Sequence, residues 1–153
     1  IRTGSCGAMR EDIKIGDLII VSGCIRGEGT TPYYVPENFS TVADFVLTKA
    51  LIDACEELGY TYYIGSVWST DALLRESKQM IAEMCELHAV GIDMVTSSLL
   101  TVAQLKGVKA AGVLAVSDNL ITGELGFVSP KFYEAETHTI DVAVKAVEIL
   151  ESR

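Results

Sequence analysis

Short apolar runs alternate with amphipathic stretches along the chain, the pattern of strands and helices packed in layers, and it predicts a single α/β domain over residues 1–153. Ile15 to Cys24 reads as a strand, opened by Gly16-Asp17 and closed by the glycine-rich turn Arg26-Gly27-Glu28-Gly29. Ser40 or Thr41 can cap a helix running to about Leu58, because Val42, Val46, Ala50 and Ala54 with Leu47, Leu51 and Leu58 form one apolar stripe. Gly59 stops it. Tyr60 to Trp68 has the aromatic and β-branched content of a strand, and Leu73 to His88 returns to helical spacing. Ile92 to Val95 is a short strand, followed by a helix from about Leu99 to Lys106 with Thr96, Ser97 and Ser98 as cap oxygens. Lys109 to Val116 is apolar on both faces, as suits a central strand covered by helices on either side. Ser129-Pro130 starts a final helix ending near Leu150, with Ile140, Val144 and Val147 expected to face inward.

Composition narrows the function classes. With 21 acidic and 12 basic residues the net charge is −9, and no Lys/Arg cluster forms a basic track, which argues against nucleic acid as a partner. The longest apolar runs, such as Leu18 to Val21, fall far short of the ~20 residues that span a bilayer, so no membrane partner is expected. Cys6, Cys24, Cys55 and Cys85 lie far apart with no C-x-x-C pair, so reduced thiols in a cytoplasmic protein are expected, with no metal. Ile1-Arg2-Thr3-Gly4 reads as the end of a strand with nothing before it to pair with. The expectation is a piece of a longer protein, a processed product or one chain of a split one; the alternative is a complete domain with an abrupt start.

Two segments carry candidate chemistry. Arg2-x-Gly-Ser5-x-Gly7 offers a permanent cation, a hydroxyl donor and two glycines that let backbone N–H groups approach an oxyanion. A Gly-Ser turn after a strand is more often only a turn. Ser117-Asp118 follows the buried strand at the carboxyl end where open α/β sheets gather ligands. The competing reading is a turn or helix cap.

Through Arg2-Thr3-Gly4-Ser5-Cys6-Gly7, Gly16-Asp17, Val42-Ala43-Asp44-Phe45 and Val116-Ser117-Asp118-Asn119, the chain resembles the nucleoside phosphorylases of the purine/uridine type without their N-terminal third. The resemblance implies a three-layer α/β/α fold around a mixed, partly barrel-like sheet, assembled as a dimer or a hexamer. It implies phosphorolysis of a nucleoside, with inorganic phosphate as co-substrate and no cofactor or metal. Phosphate falls to Arg2 and Ser5, and the base to Ser117 and Asp118, where Asp118 assists the leaving base by holding or sharing a proton. Val116 to Leu120 looks most like archaeal-type members that act on purine nucleosides.

One segment departs from the family pattern. Asp93-Met94-Val95 lies where relatives read Glu-Met-Glu; Met94 carries over as a sugar contact, but Val95 cannot accept a hydrogen bond from ribose. Buried unpaired hydroxyls cost roughly 1–3 kcal/mol each. Asp93, two residues away and so on the same face of a strand, is one methylene shorter than Glu and is expected to replace the missing carboxylate in part if the backbone shifts. The competing reading makes Met94 and Val95 ordinary core residues at a strand end. Leu73 and Leu74 stand near the aromatic that relatives stack on the base, which leaves Trp68, Tyr62 or Tyr63 for that task or Trp68 for the core. Lys131 stands roughly where relatives place an arginine, yet reads as an exposed helix lysine; His88 and His138 read as surface helix residues. The groups that relatives supply from elsewhere imply a second copy or a complementary N-terminal chain as partner. The rival functions are a degenerate nucleoside-binding or storage protein, a nucleosidase using water, and a uridine phosphorylase.

Overall fold

The computed structural model describes residues 1–152 and holds one mixed sheet flanked by helices on both faces. Its strands are β1 (Arg2–Ala8), β2 (Leu18–Gly27), β3 (Thr41–Val42), β4 (Tyr62–Thr70), β5 (Gly91–Asp93), β6 (Gly112–Asn119) and β7 (Glu124–Leu125). The order is β3-β2-β4-β5-β1-β6-β7, and an extra pairing of β2 with β6 closes β2, β4, β5, β1 and β6 into a barrel. Four α-helices cover it: α1 (Phe45–Leu58), α2 (Lys78–Glu86), α3 (Thr96–Leu105) and α4 (Pro130–Glu151). The expected three-layer arrangement with a partly barrel-like sheet is the one observed.

Two apolar layers account for the closure. On one side Leu18, Ile20, Val113 and Ala115 of the barrel meet Leu51 and Ala54 of α1 and Phe132 and Val142 of α4. On the other, Ile19, Val21, Leu114 and Val116 meet Leu100 of α3. Adjacent residues of β2 and β6 thus point to opposite cores, which is why both strands read as unbroken apolar runs.

Several boundaries differ from the expectation. Strand β2 continues through Arg26 and Gly27, predicted as a turn, because β4 pairs with it as far as Thr70. Gly27 is required there: a Cβ would lie 2.2 Å from the indole nitrogen of Trp68. Thr41 pairs with β2 instead of capping α1, and Asp44 takes the cap, its carboxylate accepting from the Leu47 N–H at 2.9 Å. Between Leu73 and His88 a 3-10 turn (Leu73–Arg75) precedes the short α2, capped by Ser77. Strand β6 runs on to Asn119, so Ser117 and Asp118 lie within it, held by β1 on one edge and β7 on the other.

The face of α4 is the clearest reversal. Ile140, Val144 and Val147 are exposed, and the helix buries Phe132, Ala135, Thr139, Val142 and Ala146. Both faces carry helical apolar spacing, but only the one with two alanines and a threonine lets the helix lie close on α1 and β6.

Candidate functional site

Strands β1 and β6 run parallel and side by side, with Arg2 opposite Gly112 and Ser5 opposite Ala115. The register then slips: Cys6 faces Val116 but Gly7 faces Asp118, so Ser117 is an extra residue on β6. Such a bulge kinks a strand and re-aims its side chains. Here the Ser117 hydroxyl turns to the Cys6 carbonyl at 3.1 Å and lies 2.6 Å from Asp118 Oδ1. Gly7 makes the fit possible, since a Cβ there would stand 2.3 Å from Leu120 and 3.2 Å from Asp118 Oδ2.

These strand ends open into a cavity of about 270 Å³ lined by Arg2, Ser5, Asp93, Met94, Ser117 and Asp118. All six residues singled out in the sequence therefore share one cavity, and Arg2 and Asp118 stand on its wall together. Met94 and Val95 are 43% and 49% exposed beside it. No hydrogen-bond acceptor enters from the side chain at position 95.

Arg2 is anchored from one side. Its Nη2 lies 3.2 Å from Asp93 Oδ2, while its Nη1 is buried with no hydrogen-bond partner among the described residues. An N–H group left so costs on the order of 1–3 kcal/mol until an acceptor reaches it. Asp93 in turn is saturated: Ser69 Oγ donates to Oδ1 at 2.6 Å, and the backbone N–H of Thr96 donates to Oδ2 at 3.0 Å, joined by the Thr96 hydroxyl. Asp93 and Ser69 thereby cap α3, whose predicted cap residues Thr96 and Ser97 sit inside the helix and supply its first N–H groups. Asp93 borders the cavity with its carboxylate turned to Arg2 and the helix.

Two wall residues escaped the sequence reading. Glu76, in the link between the 3-10 turn and α2, brings a second carboxylate to the cavity. Burial pushes its acid group above the usual range, and the charge of Asp118 adds to the shift. Phe127, which precedes α4, brings an aromatic ring, and Leu73 comes from the turn opposite. A single Gly126-Phe127-Val128 step after a hairpin was the available signal for Phe127; Glu76 lies amid charges with no distinguishing pattern.

The remaining candidates lie elsewhere. Trp68 is buried against Met9, Ala89 and Ile92, a core residue. Tyr63 donates its hydroxyl to the Asp12 carbonyl at 3.0 Å, and Tyr62 donates to Glu56 at 3.0 Å, so neither faces the cavity. Lys131 is exposed in the first turn of α4. His138 on α4 stacks on Tyr60 with centroids 4.0 Å apart, and His88 stands past the end of α2 with φ 59°. All four thiols are free; burial pushes Cys24 and Cys55 up to about 12, and the charge of Asp93 adds to the shift at Cys24. No group of three or more His, Cys, Asp or Glu suited to a metal occurs among the described residues, and no described helix is long and apolar enough to cross a membrane.

A larger recess, about 870 Å³, lies under the segment from Glu28 to Val42. Glu28 there accepts from Thr30, Thr31 and Ser97, and Arg26 donates through Nη2 to the carbonyls of Pro36 and Glu37, while its Nη1 is buried with no hydrogen-bond partner among the described residues. Size alone does not make it the reactive site. The smaller cavity holds the convergent cation, hydroxyl and acid.

Comparison with known proteins identifies the family. Residues 1–149 match the model of the phosphorylase superfamily. The chain is 36% identical over 163 aligned residues to the uridine phosphorylase of Thermococcus kodakarensis, covering 98% of this chain and 57% of that protein. It is 35% identical over 125 residues to DeoD-type purine nucleoside phosphorylases of Bacillus cereus and Bacillus thuringiensis, covering 81% of this chain and 53% of each. The chain thus spans about half the length of the curated relatives it matches, and it belongs to the phosphorylase superfamily.

Proposed function

We propose that this member of the phosphorylase superfamily cleaves the N-glycosidic bond of nucleosides, purine nucleosides foremost, with inorganic phosphate, to give free base and ribose 1-phosphate. The observation that carries the reading is the meeting of Arg2, Ser5 and Asp118 on the wall of one cavity. Phosphate sits at Arg2 and Ser5 on the cavity wall, where the guanidinium supplies a permanent cation and the hydroxyl a donor. A phosphate oxygen forms the bond to the anomeric carbon as the bond to the base nitrogen breaks, through an oxocarbenium-like state. The electron pair of the broken bond goes to the base, and Asp118 gives or shares the proton that neutralises it. Ser117 supports this: its single hydroxyl proton can serve either the Cys6 carbonyl or Asp118, so it can follow the proton state of the acid.

Ribose lies against Met94. Asp93 is spent on Arg2, so it does not supply the acceptor for ribose that Val95 lacks. Rate enhancement comes from positioning and charge stabilisation. The chain works within an assembly, either with a second copy or with a complementary chain, in the cytoplasm.

One observation favours a second reading. Val95 on the cavity wall leaves ribose without its acceptor, as in a binding protein without catalysis. Release of free base from inosine, adenosine and uridine, with and without phosphate, separates the two. Phosphate-dependent release supports phosphorolysis. Release without phosphate indicates a nucleosidase, and binding with no release in any assembly indicates the binding protein.

A further inference from the structure

We propose that Glu28 is a positioning residue for Arg2, acting through a buried hydrogen-bond relay that starts outside the cavity; the link to phosphate affinity rests on the assignment of phosphate to Arg2.

The relay is continuous. Ser97 Oγ donates to Glu28 Oε1 at 2.9 Å, and the Ser97 N–H donates to Ser69 Oγ at 3.0 Å. Ser69 then has its one hydroxyl proton directed to Asp93 Oδ1 at 2.6 Å, and Asp93 Oδ2 holds Arg2 Nη2 at 3.2 Å. Ser69 and Ser97 are both 0% exposed, and Glu28 and Asp93 are 6% exposed. The two serines that join the carboxylates are therefore sealed from solvent.

Donor and acceptor directions explain why a carboxylate stands at position 28. Glu28 receives the N–H groups of Thr30 and Thr31 on Oε2, and the hydroxyls of Thr31 and Ser97 on Oε1. Each of these contacts is a donor. An amide has one oxygen and one NH₂, so glutamine must set donor against donor on one side or turn the Ser97 hydroxyl round. Ser97 also lies in the first turn of α3, the helix that Asp93 caps. A shift of Ser97 therefore moves the pocket wall from which Asp93 grips Arg2. No other ion pair holds the Arg2 guanidinium among the described residues, so its orientation depends on this one carboxylate.

Thr31 supplies the control. Its hydroxyl donates to the same Glu28 oxygen at 2.5 Å but is no part of the chain of contacts from Ser97 through Ser69 to Asp93. Thr31→Val removes a buried hydrogen bond of the same kind without touching the path to Asp93.

The test reads Arg2 itself. In isotopically labelled protein, the guanidinium Nη–H signals of Arg2, identified by their loss in Arg2→Lys, are resolved when the ion pair hinders rotation and merge when it is released. Ser97→Ala and Glu28→Gln are expected to merge them, while Thr31→Val leaves them as in the unsubstituted protein. In parallel, Ser97→Ala is expected to raise KM for phosphate roughly tenfold, with KM for nucleoside within about twofold, as a small misplacement of a binding group does. Unchanged Arg2 signals in both Ser97→Ala and Glu28→Gln overturn the relay whatever the kinetics. The same merging in Thr31→Val also overturns it, because general loosening then explains the effect. Altered Arg2 signals with an unmoved phosphate KM uphold the relay and instead remove phosphate from Arg2.

Discussion

Arg2 and Asp93 meet at 3.2 Å with side chains only 12% and 1% exposed, so the cation that faces the cavity is oriented by a carboxylate sealed from solvent. Breaking such a pair from one side leaves a buried charge uncompensated, at a cost of about 3–5 kcal/mol. Asp93→Asn is expected to lower the urea midpoint accordingly and to weaken phosphate binding as well, since Asp93 also caps α3. Equilibrium unfolding and phosphate titration check both effects. A neutral result in each removes Asp93 from the site.

Asp118 lies on the cavity wall beside the Ser117 bulge and is the acid proposed for the leaving base. Asp118→Asn keeps the shape and removes the transferable proton, so release of purine bases is expected to fall roughly 10²- to 10⁴-fold. Uridine, whose leaving base has no imidazole nitrogen to protonate, is expected to lose less. Steady-state rates on inosine and uridine in the same preparation make the comparison.

Val95 is half exposed on the cavity wall, so a carboxylate placed there can ionise without a large desolvation cost. Val95→Glu supplies the missing acceptor for ribose. KM for nucleoside is expected to fall about tenfold, matching one hydrogen bond to a charged group. A 2′-deoxynucleoside is expected to gain less.

The acid limb of stability reports on Glu28. Burial by itself raises its acid group, but the hydrogen bonds from Thr31, Ser97 and Thr30 outweigh that and hold it below the ordinary glutamate value of 4.5. A depressed folded value stabilises the native state above the unfolded value, and that stability is lost as pH falls through the folded one. Glu76, raised by burial and then by Asp118, has the opposite sign: its contribution is greatest at low pH and fades as pH rises through its folded value. Urea midpoints measured from neutral pH to about 3 are expected to fall less steeply on acidification in Glu28→Gln.

Much of the site was readable because its residues sit on regular elements. Arg2 and Ser5 lie on the same strand as the glycines that make them recognisable, and Ser117-Asp118 ends an apolar run that only a central strand explains. What escaped depends on the third dimension. Glu28 looks like a turn residue until Ser97, distant in sequence, is seen to donate to it. Glu76 and Phe127 enter from links, one before α2 and one before α4, where no periodicity marks an inward side chain. Ile140, Val144 and Val147 have correct helical spacing, yet the smaller residues of α4 win the sheet because they allow closer approach. Asp93 shows the limit most directly: strand alternation places it on the same face as Val95, but its oxygens are taken by Arg2, Ser69 and Thr96.

The most direct test of the central claim follows isotopically labelled inorganic phosphate through the reaction in the assembled protein and in its Arg2→Gln variant. The expected result is one labelled ribose 1-phosphate for each purine base released, with the phosphate requirement sharply weakened in the variant. Base released without label entering the sugar, or equal phosphate dependence with and without the guanidinium, contradicts it.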